Sequence, residues 1–289
     1  MRVCVTGKRG QVVACLLERA AAAGVEVVTC GRPELDLARP ESIAPALEST
    51  RADVVVNAAA VTAVDEAEND PGTTHAVNAD GAGHVAAAAA ALGVPVVHIS
   101  TDYVFDGRAG QPYSEDDAPQ PLSAYGRSKL EGERLVAIAN PRHVVLRTAW
   151  IYSPFGRNFL TFVMARARTQ AVIEVASVQR GSPTSGFELA DAILHLAKQL
   201  CSDAPRYGTF HFAGRESTNR GDQARFILEA SKRLGGPSAE VCDLAGTPSA
   251  GAPRPRDSSL CSTKFSNTFN WPLLEWRRST EAAVARLLA

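Results

Sequence analysis

The run Arg2-Val3-Cys4-Val5-Thr6 leads without a break into Gly7-Lys8-Arg9-Gly10-Gln11-Val12-Val13. A β-branched apolar run of this length reads as a strand, and a glycine at its end permits a tight turn that a side chain would block. The apolar spacing beyond Gly10 reads as a helix through about Ala23. A strand feeding a helix through a glycine turn this early restricts the chain to a small group of layered α/β architectures.

The same alternation recurs. Val25–Cys30, Asp53–Asn57, Val94–Ser100 and His143–Arg147 read as strands, and the segments 43–50, 73–92 and 123–139 between them as helices. The alanine run before Leu92 belongs to the second of these helices, since alanine has the highest helix propensity. Short strands that are apolar on both faces and separated by helices indicate a parallel sheet covered on both sides. The expected fold is a Rossmann-like, doubly wound α/β sheet. After Trp150 the pattern loosens: Asn158–Arg168 and Phe187–Leu200 read as helices, Val172–Val175 and Thr209–Phe212 as short strands, and 247–257 as a Pro- and Gly-rich segment. This divides the 289 residues into a nucleotide-binding domain, 1–150, and a substrate lobe, 151–289, partly interleaved with the sheet and adding strands to its edge.

A formal net charge of -1, with no basic stripe, excludes the field expected of a nucleic-acid or anionic-membrane binder. No apolar run approaches the roughly 20 residues of a membrane span. The glycine loop starts at residue 7, which leaves no room for a signal peptide ahead of it. The six cysteines, at 4, 15, 30, 201, 242 and 261, form neither a CxxC pair nor a zinc-spaced cluster, which fits a reducing cytoplasm.

Gly7 and Gly10 in sequence follow the first strand and open the first helix, whose start offers free N–H groups and a positive dipole end to a pyrophosphate. The end of the second strand usually reads the adenosine ribose. Arg32 there suits the 2′-phosphate of NADPH, while Glu34 keeps NADH open.

The strongest chemical signal is Tyr125-Gly126-Arg127-Ser128-Lys129, with Ser100-Thr101-Asp102 upstream. Tyr125 and Lys129, four apart, share one helix face. A lysine ammonium beside the phenol favours the phenolate and lowers its pKa from about 10, which would tune it for acid–base work. Thr101, expected just past the fourth strand, sits at the edge where open α/β sheets bind ligands, and its hydroxyl can donate to a carbonyl oxygen as charge develops.

With these residues in place the chain resembles the extended short-chain dehydrogenases, and within them the dTDP-4-dehydrorhamnose reductase family. The resemblance rests on GKRGQV at 7–12, Leu35-Asp36-Leu37, VNAAAVTAVDEAE at 56–68, Val77-Asn78-Ala79, ISTDYVFDG at 99–107, Pro121-Leu122 before YGRSK, RTAWIY at 147–152, GSPT at 181–184, and Arg254-Pro255 with Ser258 and Leu260. It implies hydride transfer from NADPH or NADH to the C4 ketone of a nucleotide-activated deoxysugar, dTDP-4-dehydro-L-rhamnose giving dTDP-L-rhamnose. It further implies Tyr125 as proton donor supported by Lys129, and Thr101 and Asp102 on the sugar. Gly10, Gln11, Val12, Asp36, Leu37, Ala60, Val61 and Thr62 would line the cofactor. Trp150 would offer a stacking surface to the substrate, with core packing as its other role. A dTDP-sugar is the expected partner, with no nucleic acid and no membrane, and the chain a monomer or homodimer.

Two departures bear on these expectations. Val13 occupies the third glycine position of the GxxGxxG spacing, where close helix–strand packing is usual. The family's DQFGSPT stands here as Val178-Gln179-Arg180-Gly181-Ser182-Pro183-Thr184, which leaves the sugar open to a related 4-ketosugar of secondary metabolism. Some members form Mg²⁺-linked dimers through glutamates. Glu188 and Glu275 lie in no cluster with ligand spacing, so solvated carboxylates and no metal are expected. The same fold serves as a non-catalytic regulatory partner of methionine adenosyltransferase, but such a protein needs no Thr–Tyr–Lys set. A dehydratase would carry an acid after Thr101-Asp102, where this chain has Tyr103, and an epimerase would consume no NAD(P)H.

Overall fold

The computed structural model describes residues 1–244, 246, 251–273 and 275–289. Its first half runs β1 (Arg2–Thr6), α1 (Gln11–Ala20), β2 (Glu26–Cys30), α2 (Pro40–Thr50), β3 (Val54–Asn57), the short α3 (Val64–Asn69) and α4 (Pro71–His75), α5 (Gly81–Ala91), β4 (Val96–Thr101), α6 (Ala124–Ala139) and β5 (His143–Thr148). The second half adds β6 (Ile151–Tyr152), α7 (Phe159–Ala167), β7 (Val172–Ala176), β8 (Arg180–Gly181), β9 (Thr184–Ser185), α8 (Gly186–Leu200), β10 (Gly208–His211), β11 (Thr218–Asn219), α9 (Arg220–Arg233), β12 (Glu240–Leu244), α10 (Thr263–Phe269) and α11 (Trp276–Leu288).

Six strands form one parallel sheet in the order β10-β5-β4-β3-β1-β2. Alternation along each strand sends residues to opposite faces. Val3, Val5, Val54 and Val56 pack under α1 and α8 with Leu16, Leu189 and Ile193. Cys4 and Val55 face the other layer, with Ile43, Leu47, Val85 and Val136 of α2, α5 and α6. Val13, in the third glycine position, is buried in the first of these clusters. From β1 the chain turns to β2 on one side and to β3 on the other, so a crevice opens beyond the carboxyl ends of β1 and β3, where such sheets bind ligands. Gly7 and Ala58 begin the two loops that leave it.

Residues beyond 150 serve both the sheet and a lobe. α8 packs on α1 and β10 joins the edge beside β5. α7, β7, α9 and α11 enclose a separate core of Leu160, Ile173, Ile227 and Val284. The Pro- and Gly-rich segment 247–257 falls partly on residues 247–250, which lie outside the described residues. From Gly251 onward it is tied back to the sheet side, with Ala252 N and Arg254 Nη2 donating to Asp65.

Two expectations change. The single helix drawn over 73–92 is broken by a π-helical turn at Ala76–Asp80. There α6 approaches so closely that a Cβ at Gly132 would lie 2.3 Å from the Asn78 carbonyl oxygen. Thr101 is the last residue of β4 rather than the first beyond it.

Candidate active site

A cavity of about 500 Å³ runs from the glycine turn after β1 to the N-terminal end of α6. At its β1 end Gly7 adopts a φ of +96°, a conformation side chains resist. A Cβ on Gly31 would lie 3.1 Å from the Gly7 Cα, so the loops after β1 and β2 meet backbone to backbone. Gly10 begins α1 with no side-chain cap, which leaves the first-turn N–H groups turned toward the cavity. Lys8, Arg9 and Arg32 line this end. Lys8 pairs with Glu34, so the acid considered for a ribose contact is bound to a lysine, and Arg32 is exposed.

The walls suit an elongated anionic dinucleotide: a side-chain-free cradle, an uncapped helix start, three cations at one end, and an orphaned buried hydroxyl, Thr148 Oγ1, along the floor. Gly7, Gly10, Gln11, Val12, Arg32, Ala60, Thr62, Thr101, Asp102, Tyr125, Lys129 and Trp150 all border this one space. Asp36, Leu37 and Val61 do not. The Asp36 carboxylate caps its own loop through Ala38 N, Leu37 is buried in the core under α2 and α5, and both backbone polar atoms of Val61 are held by the Asn78 side chain, at 2.8 and 2.9 Å.

At the other end the helix carrying Tyr125 and Lys129 is started by Ser123, whose hydroxyl accepts from Gly126 N. Gly126 is needed for the approach of this helix to the sheet, since a Cβ there would lie 2.2 Å from the Tyr103 carbonyl oxygen. Tyr125 meets Tyr103 edge to face with centroids 5.8 Å apart. The Thr101 hydroxyl donates to Asp102 Oδ1 at 3.1 Å and accepts from Tyr103 N, and it is also within hydrogen-bonding reach of the Tyr125 phenol. Ser258 donates to the other Asp102 oxygen at 2.5 Å. Burial raises Asp102 to about 6 against these two hydroxyls.

Lysine tuning of the phenol differs from expectation. Burial pushes the Tyr125 phenol above its ordinary value, and the Thr101 hydroxyl opposes this. Lys129 does not depress it, because its Nζ donates to Ile99 O at 2.7 Å and lies 3.2 Å from His98 Nε2. Burial lowers Lys129 itself to about 8, with Glu133 pulling the other way.

Trp150 has a φ of +45° and its ring lies under the Arg220 guanidinium, 3.6 Å from the centroid. Arg220 was not anticipated: it lies 70 residues away in sequence and belongs to no motif, and no pattern in the chain points to it. Asn57 and Asn78 stand inside motifs with no role of their own in the sequence reading, and His98 only inside the fourth strand. Glu188, expected on the surface, is half-buried where α8 meets α11 and accepts from Ser279. Among the described residues no group of three or more His, Cys, Asp or Glu is placed to hold a metal, and no helix is long and apolar enough to cross a membrane.

The profile of the family described as RmlD substrate binding domain matches residues 1–289. A dTDP-4-dehydrorhamnose reductase of Sinorhizobium fredii is 42% identical, over 100% of this chain and 98% of its own. A Streptomyces antibioticus protein named a probable dTDP-4,6-dihydroxy-2-methyloxan-3-one 4-ketoreductase is 36% identical, over 100% of this chain and 96% of its own. Among solved structures, a dTDP-4-dehydrorhamnose reductase of Bacillus anthracis in complex with NADP matches with a TM-score of 0.92 at 27% identity, covering 99% of each chain.

Proposed function

The chain belongs to the RmlD substrate-binding domain family, and from that premise we propose that it is an NADPH-dependent oxidoreductase reducing the C4 ketone of a dTDP-4-keto sugar. The preferred reaction is dTDP-4-dehydro-L-rhamnose to dTDP-L-rhamnose, the activity named for the Sinorhizobium relative. One observation carries the reading: Thr101, Tyr125 and Lys129 border the same cavity as the glycine turn and the uncapped start of α1.

Gly7, Gly10, the first turn of α1 and Arg32 would hold NADPH, which would supply the hydride that the reduction requires. The remaining work falls to side chains. Tyr125 keeps its proton at neutral pH because burial disfavours the phenolate, so it is ready to protonate the oxygen left by reduction. Thr101, whose proton rests on Asp102 Oδ1 in the structure, would turn it to that oxygen when substrate binds, and Asp102, fixed by Ser258, stays beside it. Lys129 supports the proton balance from the next helical turn. Trp150, clamped by Arg220, bounds the sugar.

The substrate's diphosphate has a natural exit. A second cavity, about 650 Å³, is lined by Arg108, Arg180, Arg254 and Arg256 together with Asp106 and Asp257. Arg254 leads from it to the Tyr103 side chain, which touches Tyr125. Guanidinium groups suit phosphate oxygens through paired N–H donors. We assign residues 1–150 chiefly to the cofactor. The lobe built from 151–289 holds the sugar nucleotide, with α8 and β10 returned to the sheet.

A second reading keeps the chemistry and changes the sugar. Val178 and Arg180 stand where the family has an acidic and an aromatic residue ahead of the GSPT turn, and the Streptomyces relative is named for a different 4-ketosugar. The test supplies the enzyme with NADPH and dTDP-4-dehydro-L-rhamnose and identifies the product. Oxidation of NADPH with formation of dTDP-L-rhamnose supports the first reading. Turnover only with another dTDP-4-keto sugar selects the second, and no oxidation with any ketosugar rejects both.

A further inference from the structure

Four buried polar side chains from three adjacent strands and α6 form a single line beneath the cavity. Thr6 Oγ1 accepts from Ala58 N and Ala59 N, both at 3.0 Å, and donates to Asn57 Oδ1 at 2.8 Å. Asn57 Nδ2 lies 3.1 Å from His98 Nδ1, and His98 Nε2 lies 3.2 Å from Lys129 Nζ. All four side chains are buried.

The direction of each bond is forced from one end. Two backbone N–H groups fill both lone pairs of the Thr6 hydroxyl, so its own proton must point away, at Asn57. That turns the Asn57 oxygen toward Thr6 and its NH₂ toward His98. His98 Nδ1 must therefore accept and carries no proton. The neutral ring then bears its proton on Nε2, aimed at Lys129. An ammonium has three donors and no acceptor, so it would meet this N–H donor to donor. A free amine accepts the Nε2–H through its lone pair and still donates to Ile99 O at 2.7 Å.

We propose that His98 is a positioning residue for Lys129: Thr6 and Asn57 fix its tautomer so that Nε2–H faces Nζ and disfavours the ammonium form of the lysine. Glu133, on the same helix, is the charged group that acts on Lys129, Tyr125 and Asp102 border the same cavity, and Arg147 on β5 pairs with Glu133. Glu133 is the carboxylate that favours the ammonium, but it is already engaged by Arg147 and by the Ser100 hydroxyl. His98 thus offsets the one neighbour that would fix Lys129 as a cation. Burial by itself brings Lys129 down to about 8, within reach of neutral pH, and His98 is held well below its ordinary value by burial and by Lys129. An amine that changes charge close to neutral pH can return a proton to the site after each turnover. A permanently charged one cannot.

The inference rests on the reductase reading for its use, but the test needs neither cofactor nor substrate, so its failure and that of the reductase reading are separable. Histidine-selective ¹⁵N NMR of the intact chain reports which ring nitrogen of His98 is protonated, with the signal assigned by its loss in His98→Gln. Lysine ¹³Cε/¹⁵Nζ signals, assigned by Lys129→Met, report the Lys129 titration. In the unaltered protein, Nε2 carries the proton and Lys129 titrates in the neutral to mildly alkaline range.

Asn57→Asp supplies an acceptor on the His98 side and moves the ring proton to Nδ1, which leaves Nε2 as an acceptor facing Nζ. His98→Gln offers Nζ a carbonyl oxygen without adding charge. Both should raise the Lys129 midpoint by at least about one pH unit. A merely structural role would lower the melting temperature of these variants and leave the Lys129 midpoint where it was. A proton on Nδ1 in the unaltered protein overturns the proposal even if neither variant folds, as does an unmoved Lys129 midpoint in folded variants.

Discussion

Gly181 and Trp150 occupy complementary space: a Cβ on Gly181 would lie 2.4 Å from Cε2 of the indole and 2.6 Å from its Nε1. The turn that carries Gly181 is therefore part of the wall that sets the ring of Trp150, whose face also meets the Arg220 guanidinium. Gly181→Ala should push the ring toward the sugar. We expect KM for the sugar nucleotide to rise about tenfold, equivalent to about 1.4 kcal/mol, with kcat changed less, and an overpacking loss of about 1–3 kcal/mol in stability. Steady-state kinetics with denaturant unfolding separates the two. An unchanged KM would show that Trp150 does not bound the substrate.

Asp102 gives the cavity a pH signature. Its folded-state value is about 6, against an ordinary value of about 3.9, because burial disfavours the carboxylate. A raised acid contributes its full stability below the unfolded value and loses it as pH rises through the folded one. Asp102→Asn has no such dependence. The stability of the variant relative to the parent should therefore increase by about 2–3 kcal/mol between about pH 4 and pH 8. Unfolding curves at a series of pH values test this, and a constant difference would contradict it.

Beneath the site, Glu133 receives Arg147 Nε at 2.9 Å and Nη2 at 2.7 Å, and the Ser100 hydroxyl at 2.5 Å. Both charged side chains are almost fully buried. Glu133→Ala leaves the Arg147 guanidinium buried without its partner and should cost about 3–5 kcal/mol in chemical denaturation. Replacing both residues with apolar ones of similar volume should restore part of that loss. A single variant as stable as the parent would mean that the guanidinium finds water.

Much of this architecture was legible along the chain because it obeys short-range rules. β1, the turn at Gly7 and the start of α1 are contiguous, and Tyr125 and Lys129 lie one helical turn apart, so residue spacing alone places them. The sixth strand, β10, was visible as Thr209–Phe212, but its position beside β5 depends on how the chain crosses the sheet. Periodicity continued through 73–92 and hid the π turn, because the break comes from α6 packing against Asn78 and not from a local breaker. The sequence pattern does not mark α9, α10 or α11. Their helical character comes with packing in the lobe core and under the sheet edge, and α9 carries few apolar residues.

The interior of the site was less legible than its outline. The Tyr125–Lys129 spacing correctly put both groups on one face but could not tell where Nζ would point, and burial reversed the expected effect on the phenol. Asn57 and His98 meet across 41 residues, and Arg220 reaches Trp150 from the far lobe. Such contacts are set by strand order and lobe closure, which no window of sequence contains.

The central claim is that Tyr125 gives up the proton that completes ketone reduction. The most direct measurement is the rate of NADPH oxidation by Tyr125→Phe with saturating dTDP-4-dehydro-L-rhamnose, beside NADPH affinity measured by fluorescence titration. We expect kcat to fall by at least about 100-fold while NADPH binds as it does to the parent chain. A variant that turns over at the parental rate with its cofactor affinity intact would contradict the claim.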